Sequence, residues 1–318
     1  MSKFVAIYNG FLFHYEVIGY ILHYCLLQGH RVVVYCDLEG SNGYIELFQQ
    51  LFQQQTDDRG QDGPEYRCIE KFDIEKCCYD AIFLLTDDDM SFSTSDPDIN
   101  RNTIRIDHDF FVRRPEIEKC IATRPFFNGN SLPLMRPWAL PCYPIIGMDS
   151  KSSILNSDNK THVVIINNDY FYHSSIINRL QSDKMIVIHA ISRDMDASRF
   201  SSLRPDIELK LYKNIDAIEL LRIVVHSDYV LTDVSCNPEY ENIKMSGAIP
   251  LAFSTLVPLI ISKQTNSHYQ FKNIIEFDKY GREPIMLGDV GSDFFHKLEN
   301  ERTELIETFF QIMRKYFA

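Results

Sequence analysis

Read along its polar and apolar positions, the chain falls into short apolar runs of strand length separated by stretches with helical spacing. KFVAIYN (3–9) is a continuous apolar run that ends at Asn9-Gly10. From Phe13 to Leu27, Val17, Ile18, Ile21, Leu22, Cys25 and Leu26 recur at helical intervals, and Gly29 supplies a stop. HRVVVYC (30–36) predicts a second buried strand and YIELFQQLF a helix. The glutamine-rich QQLFQQQTDDRGQDG predicts a polar loop. Strands follow at YRCIEKF (66–72), YDAIFLLTD (79–87), TIRIDHD (103–109) and CIATRPF (120–126).

A second series begins after residue 160, with strand THVVIIN (161–167), a helix through FYHSSIINRLQ, and strand MIVIHAIS (185–192). Strand ELKLYKN (208–214), helix DAIELLRIVVHS (216–227) and strand DYVLTDV (228–234) come next. The stretch KMSGAIPLAFSTLVPLIIS adds a helix and a strand, and a long helix closes the chain. Apolar strands alternating with helices predict parallel sheets covered on both faces, so the fold class is α/β with two Rossmann-like doubly wound domains. Residues 128–160 hold four of the thirteen prolines and many Ser and Asn, which puts the boundary near 148–160. The expected domains are 1–150 and 151–318, with the last helix returning to the first.

A length of 318 residues suits two such domains, and 45% hydrophobic with 24% charged residues is an ordinary globular balance. The net charge of −12 predicts no generic nucleic-acid or anionic-membrane surface. The N-terminus enters a strand at once, with no secretory leader pattern, and no run approaches eighteen apolar residues, so no membrane span is expected. Eight scattered cysteines without a C-x-x-C pair predict reduced thiols in a cytoplasmic protein and no zinc site.

Ligands of open α/β sheets sit beyond the carboxyl ends of the strands. After DYVLTDV, Ser246 predicts a helix N-cap and Gly247 a close backbone approach, while Pro250 fits a first turn that needs no N–H there. The free amides of such a helix start form an anion site, here expected to take a phosphate. Asn167-Asn168-Asp169 and Ser192-Arg193 end the first two strands of the second half. Arg193 and Lys244 are candidates to neutralise a departing diphosphate. In the first half, Asp107-His108-Asp109 ends a strand, and its carboxylates would orient His108 as a base. His14 and Glu16 start the first helix on the same side. The lone Trp138 reads as packing in the Pro-rich linker.

SGAIPLAFSTLVPLI, one strand before a C-terminal helical tail, resembles the nucleotide-sugar end of GT-B fold glycosyltransferases, where a small-residue helix start and an apolar helix precede Pro-Leu/Val-Ile. The strand–helix order of both halves is similar to that family across nearly the whole chain. The resemblance implies two Rossmann-like domains facing across a cleft, with the nucleotide-diphospho-sugar on the C-terminal domain and a hydroxyl acceptor, a glycan or glycoconjugate, on the N-terminal one. It implies a transferase with catalytic candidates His108, Asp107, His14 and Glu16, and donor-binding candidates Ser246, Gly247, Arg193, Lys244, Asn168 and Glu241. No cofactor or metal is expected. Retaining members carry a Glu seven residues before the Pro. That position is Leu251 here, with Glu239 and Glu241 upstream, so sugar and stereochemistry stay open.

Three alternatives remain: a metal-dependent GT-A-type transferase using Asp87-Asp88-Asp89, a sugar-nucleotide epimerase, and a non-catalytic nucleotide-sugar-binding protein. The chain has no G-x-G-x-x-G after the first strand, no P-loop and no G-x-S-x-G, so dehydrogenase, P-loop and serine-hydrolase readings lose their usual signals.

Overall fold

A computed structural model describes residues 2–11, 14–57, 60, 62–85, 95–108, 116–125, 136–145, 159–166, 173–193, 197–232, 244–288 and 290–317. The chain divides into two compact units. Unit 1 is Met1–Tyr143 with Ile243–Met245 and Leu305–Ala318; unit 2 is Pro144–Asn242 with Ser246–Glu304.

Unit 1 runs β1 (Phe4–Asn9), a 3-10 turn (Tyr15–Val17), α1 (Ile18–Leu27), β2 (Arg31–Cys36), α2 (Tyr44–Asp57), β3 (Glu65–Cys68), α3 (Phe72–Glu75), β4 (Ala81–Leu85), α4 (Pro97–Asn102), β5 (Thr103–Asp107) and β6 (Lys119–Ala122). Its six strands lie in the order β3-β2-β1-β4-β5-β6, every pair parallel. The order reverses between β1 and β4, the switch point at which open parallel sheets bind ligands.

β1, β2 and β4 are apolar almost throughout because helices cover both faces, and β5, Thr-Ile-Arg-Ile-Asp, is buried along its whole length with polar residues alternating with two isoleucines. α1 is buried along nine of its ten residues. It ends in a Schellman turn: Gly29 takes φ 71°, its N–H donates to Leu26 O at 3.1 Å, and His30 N–H reaches Cys25 O at 2.9 Å.

Two expectations fail in unit 1. The glutamine-rich stretch is not a loop from Gln49, since α2 continues to Asp57. Leu47, Phe48, Leu51 and Phe52 supply its buried face, and Gln49, Gln50 and Gln53 are its solvent face. The strand expected at 66–72 stops at Cys68, where a 3-10 turn begins and delivers Phe72 into the core against Tyr8 and Tyr35.

Unit 2 runs β7 (Lys160–Ile166), α5 (His173–Ile177), β8 (Leu180–Gln181), β9 (Met185–Ser192), β10 (Ile207–Lys213), α6 (Ala217–Val225), β11 (Tyr229–Thr232), α7 (Ala248–Thr255), β12 (Leu259–Ser262), α8 (Lys263–Tyr269), β13 (Ile275–Phe277), β14 (Ile285–Met286) and the start of α9 (Ser292–Phe317), which belongs to unit 1 from Leu305 on. Its main sheet is again all parallel, in the order β10-β9-β7-β11-β12-β13. The helix expected through 171–181 is short. Leu180-Gln181 leave it to pair with β14, because Leu180 is needed in the core.

Within unit 1, the last turns of α9 seat Phe309 on Tyr20, with ring centroids 4.2 Å apart, and stack Phe317 on His30 at 5.5 Å. Lys3 Nζ and Lys119 Nζ donate to the carbonyls of Phe317 and Tyr316 at 3.0 and 3.2 Å, satisfying the end of the helix.

Candidate functional site

The carboxyl end of β1 leads, through Phe11, to His14. His14 adopts φ 67° and ψ 24°, in the left-handed region, and its carbonyl accepts the N–H of Val17 at 3.0 Å. A residue with a Cβ pays conformational strain there, on the order of 1 kcal/mol or more, and such strain concentrates at functional sites. The turn brings His14 Nδ1 to 3.4 Å from Glu16 Oε1. It also brings the His14 ring to 4.1 Å, centroid to centroid, from His108, which directly follows the last residue of β5. β4 lies between β1 and β5, so the two histidines meet on the carboxyl side of the sheet.

His108 is 5% exposed, and its Nδ1 is buried with no hydrogen-bond partner. Burial first, then the charge of His14, pushes its pKa down to about 3. Glu16 and a main-chain hydrogen bond at Met245 act in the opposite sense. The ring is neutral at physiological pH. For Glu16, burial alone would raise the carboxyl. The hydrogen bond to His14, the charge of that ring and a main-chain hydrogen bond outweigh it and hold the group below the usual carboxylate range.

Asp107 does not play the part expected of it. Its carboxylate is turned to Arg105, with Nε at 2.5 Å and Nη2 at 3.1 Å, and to Arg136 Nη1 at 3.0 Å. Its carbonyl accepts Thr123 N–H at 3.0 Å and Oγ1 at 3.2 Å. Since His108 Nδ1 has no partner, no flanking carboxylate fixes its tautomer through that atom.

The structure therefore brings together His14, Glu16 and His108. Sequence reasoning missed Phe11, which stacks on His14 at 5.6 Å, and Arg124, which is fully buried and donates from Nη1 to Lys244 O at 2.7 Å. Lys244 belongs to unit 1, where its charge also bears on His108.

In unit 2, Arg193 is exposed just past β9. The helix after β11 starts later than expected. Gly247, not Ser246, is the N-cap of α7, at φ −60° and ψ −20°, and no side chain caps it. Ile249 N–H already donates to Ser246 O at 3.1 Å, and Pro250 has no N–H. That leaves the amides of Gly247 and Ala248 as the donors of this helix start without a partner among the described residues. Asn168, Glu241, Glu239, Asp109, Asn167, Asp169 and the acidic run Asp87-Asp88-Asp89 lie outside the described residues. Among the described residues, no group of three His, Cys, Asp or Glu side chains is placed to hold a metal ion, and no helix is long and apolar enough to cross a membrane.

No family model and no curated protein matches the sequence. Solved structures match its fold end to end. AviGT4, a glycosyltransferase involved in avilamycin A biosynthesis, is 11% identical, with a TM-score of 0.56, over 99% of this chain and 97% of its own. An alpha-glucosyltransferase in complex with UDP and a 13-mer DNA containing a HMU base is 11% identical, with a TM-score of 0.52, over 98% of this chain and 95% of its own. The same kind of enzyme in complex with UDP-glucose and DNA containing an abasic site gives a TM-score of 0.51 at 11% identity, over 98% and 96%. The fold of this chain is that of the GT-B glycosyltransferases, with two Rossmann-like units.

Proposed function

We propose that the protein is a glycosyltransferase that moves a sugar from a nucleotide-diphospho-sugar to a hydroxyl of a glycan or glycoconjugate, with His14 as the general base. The observation that carries this reading is the His14–Glu16 pair against His108, at the switch-point side of a GT-B unit. His14 donates Nδ1–H to Glu16, which leaves Nε2 as the proton acceptor. The acceptor oxygen attacks the anomeric carbon, its proton passes to His14 Nε2, and the bond to the diphosphate breaks with its electron pair. Unit 2 would take the nucleotide, with Arg193 and the Gly247 and Ala248 amides meeting the phosphate charge. Charge compensation of this kind needs no metal or cofactor. His108, with its depressed pKa, is a poor proton acceptor, so the base is placed on His14. The cysteine spacing supports a cytoplasmic setting.

The test is a panel of nucleotide sugars screened for binding, hydrolysis and transfer to saccharide acceptors. His14→Ala should lower transfer roughly 10²–10⁴-fold with donor affinity nearly unchanged. Full transfer by that variant would end the assignment. Turnover of the sugar nucleotide without any acceptor would favour an epimerase.

A further inference from the structure

Two rings pack on His14: His108 at 4.1 Å and 42° tilt, and Phe11 at 5.6 Å and 16°. A left-handed residue with a Cβ holds its conformation only where its surroundings over-determine it. His108 is firm ground for that purpose. It follows Asp107, whose carboxylate and carbonyl are both pinned, and its buried ring is hydrogen-bonded to the main chain at Met245. Its Nδ1 is closed to solvent and without a partner, so that atom is not in a position to work on a substrate. What the residue offers His14 is a fixed, uncharged aromatic face.

We propose that His108 is a positioning residue: its buried ring fixes the His14 imidazole so that Nδ1–H stays on Glu16 and Nε2 is presented to the acceptor hydroxyl. This rests on His14 being the base, and it assigns the second histidine a role in geometry rather than in proton transfer. Misorientation of a base by an ångström or so costs up to roughly 10²-fold in rate. An aromatic ring without nitrogens gives up the hydrogen bond at Met245 but keeps the buried face that packs on His14, so it should serve nearly as well as imidazole, whereas an aliphatic side chain should not.

The experiment compares His108→Phe, His108→Leu and His108→Ala in the full chain, with leucine keeping much of the volume should alanine unfold the protein. Long-range ¹⁵N–¹H NMR reads the His14 tautomer without any substrate. The wild type and His108→Phe should show the Nδ1–H form, and the leucine and alanine variants a mixture. With the donor and acceptor pair found in the panel, kcat should fall roughly 10²-fold in His108→Leu and His108→Ala with donor KM little changed, and recover in His108→Phe. If His108→Phe is as slow as His108→Ala while the His14 tautomer is intact, a His108 nitrogen is required and the proposal is wrong. It is equally wrong if all three variants keep both tautomer and rate. Should the wild type transfer no sugar at all, the glycosyltransferase reading fails by itself, and the tautomer measurement still decides whether His108 positions His14.

Discussion

Arg105 and Asp107, two residues apart on β5 and on one face of it, are joined by a bidentate ion pair in which both side chains are about 95% buried. Arg136 adds a third bond at 3.0 Å from a more exposed position. Removing one partner of a buried pair strands the other charge, which typically costs about 3–5 kcal/mol. Asp107→Ala should therefore lower the urea midpoint strongly with an unchanged slope. Arg136→Ala should cost clearly less, because Arg105 still holds the carboxylate. Equal losses would show that the exposed bond matters as much as the buried one.

His108 ties stability to pH. The His108 pKa of about 3 lies below the roughly 6.5 of an unfolded histidine, so between these values the unfolded chain binds a proton that the native chain does not. Its stabilising contribution is complete above about pH 6.5 and is lost progressively as pH falls toward 3. Glu16, also depressed, adds a loss in the same direction below the usual carboxylate pKa. The melting temperature of His108→Phe should fall less steeply between pH 6.5 and 4 than that of the wild type. Parallel profiles would mean that His108 is not kept neutral by the fold.

Most of the fold was legible because buried parallel strands read as unbroken apolar runs. RVVVYC, AIFLL and LIIS could be placed from composition alone. The extent of α2 was not, because its solvent face is a run of glutamines that looks like a loop until Phe48 and Phe52 are seen to be buried together. In the site, His14, Glu16 and His108 could each be named from their places after strands or at a helix start. That two of them touch depends on the left-handed turn at His14, for which the sequence offers no glycine. The fate of Asp107 did have a signal: residues i and i+2 of a strand share a face, so Arg105 was its natural partner.

Gly19 offers a packing test. A Cβ there would lie 2.3 Å from Cε1 and Cζ of the buried Tyr143 ring. Gly→Ala inside a helix ordinarily stabilises by up to about 1 kcal/mol. Here the ring stands in the way, and overpacking should reverse the sign, costing about 1–3 kcal/mol. Replacing Tyr143 with Leu should relieve Gly19→Ala, so that a double-mutant cycle gives a coupling well above zero. Additive effects would mean that the ring moves aside without cost.

The last prediction concerns the start of α7. Ser246 makes no capping bond, so Ser246→Ala should change stability by less than about 0.5 kcal/mol, where loss of a true cap costs about 1 kcal/mol. Gly247 sits in ordinary right-handed backbone, which valine tolerates, so Gly247→Val should fold. Its branched side chain would nevertheless stand beside the two amides proposed to meet a phosphate. A ligand at 100 times its Kd stabilises by about 2.7 kcal/mol. UDP or GDP at that level should raise the melting temperature of the wild type, Arg193→Ala should require more ligand for the same rise, and Gly247→Val should show almost none. A Gly247→Val protein that responds to the nucleotide like the wild type would move the phosphates away from α7.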